Sequence, residues 1–146
     1  MGTDQGFLDQ WPAELWDAVA DPDPLVRARA VDALEKVSRT DPAVLEGHER
    51  EIVDELSVSE LAEVRWHVGQ LVPRLTLGQE EVLLAAAVLG RLLEDRSRIT
   101  QANALDGLVT LADQHPELAD QAAEALTRGL VSPYPSVRAR ARRLIR

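Results

Sequence analysis

The chain has 146 residues, 45% of them apolar, five aromatic residues and a formal net charge of −9. That length buries a sizeable core as one domain, with Ala and Leu supplying most of it. The acidic balance argues against a general nucleic-acid binder, the absence of cysteine excludes a disulfide framework, a thiolate nucleophile and a Cys-based zinc site, and no run approaches the ~18 apolar residues of a membrane span.

The first six residues are expected to fray, and Met-Gly-Thr-Asp-Gln-Gly is unlike a signal peptide and lacks the hydroxyl residue at position 6 of a myristoylation signal. A cytoplasmic protein without a cofactor is the expectation. Leu8, Trp11, Leu15 and Val19 mark one face of a first helix. Asp21-Pro-Asp-Pro24 stops it, and Asp23 caps a second helix with Pro24 at its first position, running to about 39. Asp41-Pro42 repeats that start signal for a helix reaching about 56. Ser57 and Glu60 have capping-box spacing, which predicts a helix from there to about Leu75, with Pro73 in its last turn or at a kink. Further helices are expected at about 78–94 and 97–113. His115-Pro116 opens another, and Ser132-Pro-Tyr-Pro135 separates it from the last. No strand pattern, linker or low-complexity segment interrupts this series.

A marker recurs along it: a small apolar residue or Thr, then Arg or Gln, then an Ala-rich helix. The copies begin at Val26-Arg27, Val64-Arg65, Thr100-Gln101 and Val137-Arg138, at intervals of 38, 36 and 37 residues. A period in this range predicts an all-α fold of stacked helix pairs, an α-solenoid.

Asp23-x-x-Val26-Arg27, Val64-Arg65 and Val137-Arg138, each opening the second helix of a pair, resemble the HEAT repeat family over nearly the whole chain. The stretch Arg65-Trp66-His67, Gln70 and Pro73-Arg74-Leu75 is also similar to small bacterial HEAT-repeat proteins of unestablished role. The resemblance implies one domain over 1–146, a right-handed stack of about four helix pairs near 8–39, 42–75, 78–113 and 116–146. It also implies a ladder between neighbouring repeats, built from an acidic turn residue and an arginine. Asp23, Arg27, Arg65 and Arg138 match it; Gln101 departs, so the ladder should weaken at the third repeat.

Turning 100° per residue from each marker sorts the second helices into sectors. Val26, Ala30, Ala33, Leu34 and Val37 form a core sector, as do Val64, Val68, Leu71, Val72 and Leu75. Five residues after the marker stand Val31, Gly69, Leu105 and Arg142. The first three suit contact with a following repeat, and Arg142 suits a polar terminal cap of a complete array. The remaining sector is expected to line a concave face in three stripes: Ala28, Trp66, Ala102 and Ala139; Arg29, His67, Asn103 and Arg140; Asp32, Gln70, Asp106 and Arg143. Trp66 among alanines suits an anchor for a partner side chain, or else folds over Ala28 and Ala102.

Residues 26–39, 64–75, 99–112 and 136–146 carry a net +8, and the rest of the chain −17. The positive set reads either as a face for an anionic ligand or as ladder arginines and helix C-terminal cations, although Arg138, Arg140, Arg142, Arg143 and Arg146 are dense for that duty alone. Trp16 and Phe7 are expected to cover the open N-terminal end of the stack, and Trp11 to join the core. His48, His67 and His115 fall in different repeats and predict no metal site, and no nucleophile elbow or phosphate-cradling loop is present. Asp32 and Asp106 are separated by an intervening repeat, too far for an acid pair. Glu63 is placed to pair locally with His67.

The expectation is therefore a non-catalytic module that binds another protein or a peptide segment on its concave face, around Trp66. It is expected to be a monomer, with a dimer through the N-terminal end left open. Two other readings stay open. One is an enzyme resembling, in architecture only, the HEAT-like DNA glycosylases, which use an inner-face Asp, Trp and Arg, or the HEAT-like bilin lyases. The other is an inhibitor or immunity-type protein whose acidic outer residues, such as Glu49, Glu51, Asp54 and Glu55, neutralise a basic partner.

Overall fold

A computed structural model describes residues 12–145. Every regular element among those residues is helical, without a strand. Helix α1 covers 12–19, and the expected face residues Leu8 and Trp11, with Phe7, lie outside the described residues, as does Arg146. The other α-helices are α2 (Pro24–Ser38), α3 (Ala62–Leu71), α4 (Gln79–Leu92), α5 (Arg98–Gln114), α6 (Ala119–Leu130) and α7 (Pro135–Leu144). Among the described residues no helix is long and apolar enough to cross a membrane.

The start signals act as the chain's chemistry dictates. Asp23 Oδ1 accepts from the Leu25 N–H at 2.9 Å, with Pro24 opening α2. Ser97 Oγ accepts from the Thr100 N–H at 3.2 Å and caps α5. Glu81 Oε1 reaches back to the Gly78 N–H at 2.8 Å and fastens the start of α4.

Residues 42–58 do not form the single helix expected there. Pro42–Leu45 is one 3₁₀ turn. Glu46 is then extended and Gly47 takes φ +85°, a backbone conformation that favours glycine and ends helical winding. The chain resumes as a widened π-type turn at Glu51–Glu55 and tightens into 3₁₀ at Leu56–Val58. The capping box expected at Ser57 and Glu60 is absent too. Ser57 is buried, its hydroxyl donating to Val53 O at 2.5 Å, while Glu60 turns outward to Arg27. The N-terminus of α3 sits at Leu61, held by Ser59 Oγ accepting from the Leu61 N–H at 3.2 Å. Pro73 falls in a 3₁₀ turn, Val72–Arg74, that finishes α3.

Helices α2, α3, α5 and α7 pack one against the next in chain order. Helix α4 packs on α5, and α6 on α5 and α7. Val31, Leu34, Val68, Leu71, Leu89, Leu105, Leu108 and Leu111 form the centre of the apolar core between them. The predicted core sector is fully buried in α3 and the turn that follows it, where Val64, Val68, Leu71, Val72 and Leu75 are all inside, but Val26, Ala33 and Val37 of α2 are only partly covered. Of the residues five past the marker, Val31, Gly69 and Leu105 are buried and Arg142 is exposed.

The closest approach is between α3 and α5. A Cβ on Gly69 would lie 2.2 Å from Asn103 O, and one on Gly107 would lie 2.4 Å from Gly69 O. Only glycine lets the two backbones meet this way. Trp16 is in the core rather than at an edge. Its ring stacks on His48 with centroids 3.9 Å apart, and its Nε1 donates to Val44 O at 3.0 Å.

Candidate functional site

Four residues in equivalent positions bind the turn that precedes their own helix. Arg27 Nη1 donates to Asp21 O at 3.1 Å, Arg65 Nη1 to Ser59 O at 2.9 Å, Gln101 Nε2 to Asp95 O at 2.6 Å and Arg138 Nη1 to Ser132 O at 2.6 Å. Each reaches back six residues. Gln101 keeps this staple because an amide N–H serves as well as a guanidinium for one carbonyl.

A second arm distinguishes Arg27 and Arg65. Arg27 forms an ion pair with Glu60 in the turn before α3. Arg65 grips Asp95 in the turn before α5 through two hydrogen bonds, at 2.9 and 3.2 Å, with both side chains largely shielded. Burial raises the Asp95 pKa, but the Arg65 hydrogen bond, the Ser97 N–H and the charges of Arg65 and Arg96 outweigh it and hold the carboxyl below its ordinary value. Asp23 is not a rung of this ladder: its side chain is spent on the α2 cap. At Gln101 the amide is too short for a second arm, and the next turn, Ser132-Pro133, offers no carboxylate. A cavity of about 160 Å³ lies there, lined by Gln101, Leu105, Gly129, Ser132, Pro133 and Val137 among others.

On the face expected to bind, the structure joins residues from four helices into a polar row. Asp32 of α2 pairs with Lys36 at 2.8 Å and faces His67 Nε2 at 3.6 Å. His67 is buried, and its Nδ1 donates to Gln70 Oε1 at 2.7 Å. Gln70 and Asp32, rather than Glu63, are therefore the partners of His67. The 37-residue period places Asn103 of α5 beside Trp66, and the glycine contact brings α5 near enough for Asn103 Nδ2 to donate to Trp66 O at 2.8 Å. Arg140 of α7, 37 residues further on, donates to Asn103 Oδ1 at 3.3 Å and forms an ion pair with Asp106. Asn103 thus spans its two neighbours with donor and acceptor both used.

Trp66 is half-buried and packs edge-on to the His67 ring with centroids 6.0 Å apart. In its stripe Ala28 and Ala102 are buried and Ala139 is exposed. Arg29 and Arg143 are exposed. An open groove of about 390 Å³ is lined by Gln70, Asn103, Asp106, Arg140, Arg143 and Leu144. The row is thus internally paired in its middle and offers Trp66, Gln70, Arg143 and the remaining acceptor capacity of Asp106 at its surface.

Glu35 is a buried carboxylate not anticipated from the sequence. Glu35 is 1% exposed, and Arg39 bonds it at 2.8 and 2.6 Å. Arg74 Nη1 donates to Glu35 Oε2 at 2.9 Å, to Glu35 O at 2.8 Å and to Ser38 Oγ at 2.8 Å. The Arg39 hydrogen bond above all lowers the Glu35 pKa, against the opposing effect of burial, with Arg74 adding to it. The Arg39 spacing, four residues on, was the available signal; nothing local pointed to Arg74, 39 positions away. Glu35 ties the end of α2 to the end of α3 and forms no part of the groove. Among the described residues no cluster of His, Cys, Asp or Glu is arranged to hold a metal ion.

The chain matches no protein-family model, and a search of curated proteins finds no similar one.

Proposed function

We propose that this chain is a non-catalytic protein-binding module, a right-handed stack of four HEAT-like helix pairs that receives a partner segment along its concave face. The observation that carries this reading is an open groove where α3, α5 and α7 contribute Gln70, Asn103, Asp106, Arg140 and Arg143, with Trp66 one helical turn before Gln70 on α3. Amide and guanidinium groups held in place by neighbouring residues are pre-organised to bond a peptide backbone or its polar side chains, so little ordering cost remains at binding. Trp66 supplies the apolar contact at one end. Asp32 and Asp106 are each engaged by a cation, Lys36 and Arg140 respectively, which suits positioning better than proton transfer.

The experiment is a tagged capture from native lysate with wild type, Trp66→Ala and Arg143→Glu, each checked for an unchanged thermal melt. A partner retained by wild type and lost in both variants supports this face as the binding site. A partner held equally by all three rejects it.

A further inference from the structure

On a different surface, the break in residues 42–58 leaves a second groove. The widened turn at Glu51–Glu55 does not close against α4, and a space of about 440 Å³ remains between them. Its floor is apolar, made by Val53, Leu77 and Leu84. Val82, Ala85, Ala86 and Leu89 of α4 are buried as a core face should be, whereas Leu84 is 62% exposed at the groove. Covering Leu84 together with Val53 and Leu77 with apolar side chains removes their surface from water, which is favourable.

The rim states what covers it. Glu49, Asp54, Glu80 and Glu81 stand around the floor with one cation, Arg50, which is 3.5 Å from Asp54. Outside residues 26–39, 64–75, 99–112 and 136–146 the chain carries a net charge of −17. An apolar floor inside a ring of carboxylates matches a segment with apolar anchors flanked by Lys or Arg, and repels an acidic one.

We propose that this groove docks a basic amphipathic helix of a partner protein, whose apolar side chains cover Val53, Leu77 and Leu84 while its cations face Glu49, Asp54, Glu80 and Glu81. This site is independent of the face around Trp66, and either can fail without the other.

The probe is a fluorescein-labelled synthetic amphipathic helix of leucine and lysine, titrated with the full chain and read by fluorescence anisotropy. Wild type should bind it, with affinity falling about tenfold between roughly 50 and 300 mM NaCl as the rim charges are screened. Leu84→Asp should weaken binding at least about tenfold, the loss expected when one buried leucine contact is removed. Glu80→Lys should weaken it by a similar factor and flatten the salt dependence. Leu83→Asp is the control: Leu83 is 56% exposed but does not line the groove, so binding should be unchanged. Circular dichroism melts confirm that each variant folds. The proposal is overturned if wild type does not bind the probe, if Leu83→Asp and Leu84→Asp act alike, or if a leucine–glutamate peptide of the same pattern binds as well. Loss of binding on Trp66→Ala would likewise overturn it, by placing the probe on the other face.

Discussion

Helix α5 has two neighbours in the row, and it meets them by different means. Against α3 the contact is backbone on backbone, through Gly69 and Gly107, reinforced by Asn103 on Trp66 O and by Arg65 on Asp95 just before α5. Against α7 it is made by side chains. Arg140 reaches Asn103 and Asp106, Arg98 lies over the Tyr134 ring at 4.6 Å, and a cavity remains beside Gln101. The two seams of α5 thus differ both in their glycines and in their markers: a glycine pair and Arg65 on the α3 side, Gln101 and no such pair on the α7 side. Repetition sets which elements meet; the residues at the meeting point set how firmly.

The tight seam is the place to break the comparison. Gly69→Ala puts a methyl group 2.2 Å from a backbone oxygen, and no side-chain rotation relieves that. The helices must separate, and the expected loss is about 3 kcal/mol, or a melting temperature lower by roughly 8 °C, measured by calorimetry. An unchanged melt would mean that α3 and α5 do not meet at Gly69. Arg65→Ala should cost about 2 kcal/mol in urea unfolding, because it leaves Asp95 shielded from water without its partner.

The same pair predicts a response to acid. Asp95 and Glu35 both have folded pKa values below their ordinary ones, so their stabilisation is present above the unfolded pKa, about 4, and disappears as pH falls through the folded values. Wild type should keep a constant melting temperature from pH 7 to about 5 and lose stability below about 4. Arg65→Ala should lose less over that acid range, since Asp95 then has less to give up; equal slopes would show that the Arg65 bond does not depress Asp95.

Two smaller changes sharpen the looser side. Thr100 stands where the other three copies have valine, and its buried Oγ1 has no hydrogen-bond partner among the described residues. Thr100→Val removes an unsatisfied hydroxyl without changing shape much and should stabilise the protein by about 1 kcal/mol in thermal or urea unfolding. Gln101→Arg alone should be near neutral, because the next turn has no carboxylate to receive it. Combined with Pro133→Glu it should gain about 0.5 kcal/mol beyond the sum of the single changes, read from a double-mutant cycle. A coupling of zero would mean that the two turns are too far apart to be bridged.

The repeat signal, with its Pro, Asp and Ser start signals, placed α2, α4, α5 and α7 within a residue or two, because those cues are local and strong. It failed over 42–58. There Asp41-Pro42 looked like another helix start, but Gly47 bends the backbone, a single-residue event that the apolar spacing hides. The stripes on the face were readable as a set, since a 37-residue step carries one helix onto the next. What they do to one another was not. Asn103 bridging Trp66 O to Arg140 depends on how closely two glycines let α5 approach, a distance set by tertiary packing. The Arg74 bond to Glu35 spans 39 positions and has no sequence signature at all. Glu49 and Asp54 were legible as part of an acidic surface, but the groove they rim was not, for the same reason as the break that creates it.

The unequal seams of α5 have a consequence for how the face beside Trp66 behaves under load. Gln70 and Asn103 stand on two helices that meet backbone to backbone, while Arg140, Arg143 and Leu144 stand on α7, whose contact with α5 is made by side chains. On the binding role proposed above, a partner segment of unequal width should shift α7 before α3 or α5, with the cavity beside Gln101 giving room for that movement.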